Sequence, residues 1–291
     1  MLKIESILSP VDFSEFSDRA CEYAHSFARQ YGAKLFVLHV AETFAPIHPR
    51  LISPPLIEQV YAQKIADAEE KVRELAARQK WNDVEHEVFL ERGAVADAIL
   101  QFVEGKNIDL ITMGTHGRRG LDRLVLGSVT ERILRTARPP VLAVHSLPQG
   151  SGARKEPVQF RKILFCTDFS DNSPRALEYA FLLACKYQAE ISLLHVIERS
   201  DGGKDLAAEK RQVLQQLQAV VPQNVQNCAT VEPAVRAGKT YQEILGHAAE
   251  TETDLIVMGV RGRNALDLAL FGSTTQRVIQ LGQWPVLVVR T

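Results

Sequence analysis

Short apolar runs alternate with longer stretches whose apolar residues recur at helical spacing through the first 144 residues of the chain. "IESILSPVD" and "AKLFVLHV" are strand-like, 17–31 has a helical period, and 56–80 reads as a long charged amphipathic helix with a solvated face. "VEHEVFLERG" alternates like a half-buried strand, 95–104 is helical, "IDLITMG" is a buried strand, 128–136 is helical and "PVLAV" closes the unit. Strands separated by helices need crossover connections, so the pattern predicts an α/β fold. Its sheet should be five-stranded, parallel, covered by helices on both faces and doubly wound.

The same pattern then repeats. Ile7 to Val40 aligns with Ile163 to Val196 at 17 identities in 34 positions without a gap, and Met113 to Val144 with Met258 to Val289 at 14 in 32. The offset is 156 at Asp12/Asp168 and 145 at Gly114/Gly259, so the second copy is 11 residues shorter between those points. The extra length of the first copy is assigned to "ETFAPIHPRLISPPL", a proline-rich loop without period. Between the copies the stretch from Pro148 to Phe160 is rich in Gly, Ser, Pro and charge, as linkers are. The organisation expected is domain 1 at 1–147, a linker at 148–157 and domain 2 at 158–291.

Composition narrows the function classes. The chain has 291 residues, 46% hydrophobic and 24% charged, with a formal net charge of -1, so there is no general electrostatic reason to expect nucleic acid or an acidic membrane as partner. No apolar leader and no run of 18 apolar residues is present, which points to the cytoplasm. Cys21, Cys166, Cys185 and Cys228 have no metal-ligand spacing and read as small buried or half-buried hydrophobes. His39 and His195 recur at the end of the second strand of each copy without a cysteine or carboxylate cluster, so a hydrogen-bonded role is expected over a metal role. The sequence assigns no metal ligands.

In doubly wound sheets ligands lie outside the carboxyl ends of the strands, where the strand order reverses. Gly114 follows directly on a buried strand, where a residue without Cβ lets a ligand approach the backbone, and Gly117 keeps that freedom beyond it. Gly127-Ser128 opens the last helix, whose first N–H groups favour an anion. Gly259, Gly262, Gly272 and Ser273 repeat the spacing. Glycine loop plus helix N-terminus is phosphate chemistry. Asp12 and Asp168 follow the first strand of each copy, where a carboxylate could accept from ribose hydroxyls or an exocyclic amine. Ser17 and Ser173, read as N-caps, would leave these carboxylates to a ligand.

G-x-x-G-x9-G-S followed by Val129-Thr130 and "PPVLAV", with "PVDFSEFS" after the first strand, resembles the ATP-binding branch of the universal stress protein family, over nearly the whole chain and twice. The resemblance implies a five-stranded parallel sheet of the Rossmann-like, adenine nucleotide alpha hydrolase-like type, and ATP in the crevice, alone or with magnesium or manganese on its phosphates. It also implies association through the last strand, as an intrachain pseudo-dimer or a homodimer. Asp12 and Val40 would hold the adenosine end and Met113 would line the base pocket, while Gly114, Gly117, Gly127, Ser128 and Val129 wrap ribose and phosphates. The matching positions are Asp168, Val196, Met258, Gly259, Gly262, Gly272, Ser273 and Thr274. Cys166-Thr167 replaces Pro10-Val11, and Thr274 replaces Val129.

Arg118, with its twin Arg263, is expected to reach phosphate, whereas His116 is expected to be an exposed loop residue. "AGKT" at 237–240 lacks the first glycine of a Walker loop and reads as a strand-to-helix turn. The function expected is a nucleotide-binding stress-response regulator in which hydrolysis is at most slow and incidental. The rival readings are a ligand-free dimerisation scaffold, which has no need of glycines in both copies, and an ATP pyrophosphatase-type adenylylating enzyme, whose SGGxDS loop is absent. No nucleophile with a paired base is visible.

Overall fold

The computed structural model describes residues 3–42, 54–78, 81–116, 126–145, 158–170, 173–198, 206–260 and 272–290. The first half runs β1 (Ser6–Pro10), α1 (Glu15–Tyr31), β2 (Lys34–Glu42), α2 (Pro54–Arg78), β3 (His86–Gly93), α3 (Val95–Gly105), β4 (Leu110–Gly114), α4 (Ser128–Thr136), β5 (Val141–Val144). The second runs β6 (Lys162–Cys166), α5 (Ser173–Tyr187), β7 (Glu190–Ile197), α6 (Leu206–Ala219), α7 (Gln223–Gln226), β8 (Thr230–Ala237), α8 (Thr240–Glu250), β9 (Leu255–Gly259), α9 (Ser273–Leu281), β10 (Val286–Val289).

The ten strands form one sheet in the order β3-β2-β1-β4-β5-β10-β9-β6-β7-β8. Each half is parallel within itself, and the halves join where β5 and β10 pair antiparallel. Leu142 faces Leu287 there. These residues are 145 positions apart, the repeat offset itself, so a pseudo-twofold axis passes through the pair. Pro140 and Pro285 suit the last strand of each half's own sheet, whose free edge invites pairing with the other, and the two strands do pair within the chain, so β5 and β10 lie wholly buried mid-sheet. Each proline stands one residue before its strand, so no ladder donor is lost, and its carbonyl accepts from Ile111 or Ile256. The outer strands of the sheet are β3 and β8.

Strand alternation sends side chains to two cores. Ile7, Leu142, Phe165 and Val257 face α1, α2, α5 and α6, whereas Leu8, Ala143, Leu164 and Ile256 face α3, α4, α8 and α9. Small residues Ala20, Ala24 and Ala28 let α1 pack closely. Gly32 ends α1 at φ 66°, with its N–H donating to the Ala28 carbonyl.

Phe160, three residues past the expected linker, is 2% exposed and packs its ring against Tyr23, Phe27 and Tyr187. One expectation fails on packing. Cys185 and Cys228, read as small buried or half-buried hydrophobes, are joined in a disulfide that ties α5 to the chain after α7, while Cys21 and Cys166 are thiols outside any disulfide. A separation of 43 residues hides such a pair from sequence.

Candidate functional site

From β1 the chain moves outward through β2 to β3, and from β4 outward the other way to β5, so the strand order reverses between β1 and β4. In the second half it reverses between β6 and β9. The crevice rule therefore points to the carboxyl ends of these strands.

Asp12 sits two residues beyond β1. Its Oδ1 accepts from the Ser14 N–H at 3.1 Å and the Ser14 hydroxyl at 2.6 Å. Phe13 takes φ 61°, a left-handed conformation costly for an aromatic residue. Its ring lies 4.5 Å from that of His39, whose Nδ1 meets the Val11 carbonyl at 2.7 Å. The second half repeats the device. Phe169 has φ 57°, its ring lies 5.0 Å from His195, and His195 Nδ1 meets the Thr167 carbonyl at 2.8 Å. Asp168 Oδ1 accepts from the Ser170 N–H at 3.0 Å and the Ser173 hydroxyl at 3.2 Å. A strained phenylalanine locked by a histidine thus aims each aspartate segment. The hydrogen-bonded role expected of His39 and His195 is observed, whereas the strained Phe13 and Phe169 were missed, although they too recur in both copies.

Val40, Met113, Val196 and Met258 are buried on the α3/α4/α8/α9 face of the sheet, beside the helices that follow the glycines. Gly127 and Gly272 are the N-caps of α4 and α9 with extended backbones, and neither cap provides a side-chain hydrogen bond. Ser128 and Ser273 are exposed at the first helical position, with Val129 and Thr274 half-buried behind them. The Thr130 hydroxyl donates to the Gly114 carbonyl at 2.8 Å, and Thr275 to Gly259 at 3.0 Å. Each threonine fastens its helix start to the end of the neighbouring strand. Its recurrence at the same repeat position was the available signal. Gly117, Arg118, Gly262 and Arg263 lie outside the described residues.

A family model for the universal stress proteins matches residues 3–145 and again 159–290. The chain belongs to the universal stress protein family. A universal stress protein of Mycolicibacterium smegmatis is 26% identical over 305 residues, which cover 98% of this chain and 96% of the relative. One from Methanocaldococcus jannaschii is 35% identical over 141 residues, 48% of this chain and 81% of its own. The solved structure of a universal stress protein from Archaeoglobus fulgidus superposes with a TM-score of 0.72 at 26% identity, covering 99% of this chain and 97% of that one. Two universal stress repeats on one chain are therefore shared with relatives of the same length.

Within this universal stress protein several residue roles differ from expectation. A Cβ on Gly114 would lie 2.7 Å from Phe16 Cβ and 2.8 Å from the Phe16 carbonyl carbon, so the absence of a side chain here admits the first turn of α1. A Cβ on Gly272 would meet the Val260 carbonyl oxygen at 2.6 Å, the atom that accepts from the Gly272 N–H. Ser17 is not the cap of α1. Ser14 is, in a capping box in which Ser17 stands at the third helical position. Ser173 is the first residue of α5. The aspartates consequently serve the helix starts that were expected to leave them to a ligand. His116 is 5% exposed, hydrogen-bonded through Nδ1 to Thr115 at 2.9 Å and packed on Phe16, so it is a core residue. "AGKT" is the turn between β8 and α8, with Gly238 at φ 156°. Among the described residues no group of three His, Cys, Asp or Glu is placed to hold a metal, and no helix is long and apolar enough to cross a membrane.

Proposed function

We propose that each half of this universal stress protein binds an adenine nucleotide, ATP, at its switch-point crevice, and that the chain acts as a stress-response regulator with at most slow, incidental hydrolysis. The supporting observation is that α4 and α9 begin at glycines without side-chain caps. Their first-turn amides open at the carboxyl edge of the sheet, and a phosphate there would satisfy them and meet the positive end of the helix dipole. Asp12 and Asp168 would take the ribose or base end. Met113, Val40, Met258 and Val196 would offer the apolar wall. Gly117, Arg118, Gly262 and Arg263 would close over the phosphates, with magnesium or manganese as the counter-ion. The sequence units 1–147 and 158–291 are proposed as the two nucleotide-binding domains, joined by 148–157. The first is proposed as the tighter, because Thr274 replaces Val129 and Cys166-Thr167 replaces Pro10-Val11 in the second.

Equilibrium dialysis with labelled ATP tests this, using Ser128→Glu and Ser273→Glu. A carboxylate at the first helical position suits the helix but repels phosphate. The full chain should bind two ATP, each single variant one and the double variant none. Unaltered binding in the double variant would place ATP away from the two helix starts, and no binding in the wild type would leave the scaffold reading standing.

A further inference from the structure

On the sheet face opposite Val196 and Met258, a cavity of about 420 Å³ opens between α5 and the connection from α6 to α7. Phe165, Phe169, Leu177 and Phe181 form its body, and Val220 stands at its mouth 40% exposed. The hydroxyls of Thr167, Ser170 and Ser173 also line it. Glu178 is the one ionisable residue among the described lining, it is exposed, and no described cation pairs with it. The first half differs at this place. There His25 occupies the position of Phe181 and joins Asp83 at 2.9 Å, while Trp81 is buried against the core. The space between the first helix and the following connection is thus bridged in one half and open in the other.

We propose that this cavity binds a small aromatic amine. The volume is in the lower range of small-molecule sites and suits a body of one or two fused rings. Phe165 and Phe169 offer faces and edges for aromatic packing. The hydroxyl oxygens can accept hydrogen bonds from an ammonium, and the Glu178 carboxylate, without an ion pair among the described residues, supplies negative charge at the rim. An anionic ligand of the same shape would meet Glu178, while the described cation nearest in sequence, Arg175, is hydrogen-bonded to Tyr179 and does not line the cavity. The site is separate from the nucleotide crevice. It shares only the β6–α5 connection, whose Ser170 and Ser173 also donate to Asp168.

Calorimetric titration of the full chain with tryptamine, its neutral isostere tryptophol and the anion indole-3-acetate tests the proposal. Tryptamine should bind roughly tenfold more tightly than indole-3-acetate, with tryptophol between. Glu178→Arg, on the exposed face of α5, should reverse that order. Leu177→Trp should fill the cavity and abolish binding of all three. Equal affinities in the wild type, or an unchanged order in Glu178→Arg, overturn the proposal whether or not Leu177→Trp folds. Saturating ATP should leave tryptamine binding intact. Displacement by ATP would assign the signal to the crevice and overturn it, and failure of ATP to bind would count only against the nucleotide reading.

Discussion

His145, just past β5 in the first half, places Nε2 2.5 Å from the carbonyl oxygen of Ile279 at the end of α9, and its Nδ1 3.1 Å from that of Trp284. The neutral imidazole donates its one N–H to one of these two carbonyls, both of which belong to the other half, and so ties the segment before β10 across the pseudo-twofold axis. Its symmetry mate is Arg290, so the clamp is built on one side only.

Burial holds the His145 ring below the ordinary histidine pKa, outweighing the raising effect of the two carbonyls, with the His116 ring adding to the depression. His247 is lowered too, by burial and then by the Arg236 charge. A base with a depressed folded pKa contributes stability above its unfolded pKa, and loses it as pH falls below that value. The free energy of unfolding should therefore decline from about pH 7.5 to about pH 5.5, and His145→Gln should flatten the slope. Urea denaturation across that range checks it. An identical slope in the variant would exclude His145 as a contributor.

Gly114→Ala should destabilise the first half by about 1–3 kcal/mol, because the first turn of α1, which carries Phe16, must move away from position 114 to admit the methyl group. The measurement is the urea midpoint, with exchange protection of α1 amides locating the damage. A neutral effect would show that the α1 turn yields freely.

Thr130→Val keeps the shape of the side chain and removes its donor to Gly114. The expected loss is about 1 kcal/mol of stability, together with weaker ATP binding in the first half, since the α4 start is no longer pinned to β4. Thr275→Val should do the same to the second half alone. Dialysis of both variants tells the halves apart.

Chain-entropy reasoning for a loop of 43 residues gives the Cys185–Cys228 bond about 4 kcal/mol of stability. Purified without reductant and unfolded in urea, the chain should show two reactive thiols, from Cys21 and Cys166. A count of four would mean that the pair is reduced in the native protein. Cys185→Ser with Cys228→Ser should lower the urea midpoint to that of the reduced wild type.

Local chemistry and repetition made much of this protein legible from its residues. Periods of two and of 3.6 located the strands and helices, with α4 found at Ser128–Thr136. The doubled glycine pattern located the helix starts, since backbone conformation and the period of burial are encoded within a few neighbouring residues. What depends on residues far apart in sequence was decided by packing. Gly114 answers to Phe16, 98 positions earlier, and the disulfide joins positions 43 apart. Asp12 was visible as a carboxylate after a strand, but its engagement by Ser14 depended on where α1 began, and a one-turn shift of the cap changed its partner. The prolines spoke for edges that would pair with each other, within one chain or between two, because each half, taken alone, ends its sheet at the last strand. Only the folded chain brings β5 and β10 together, where pairing satisfies both rows of backbone groups and removes the edges from water.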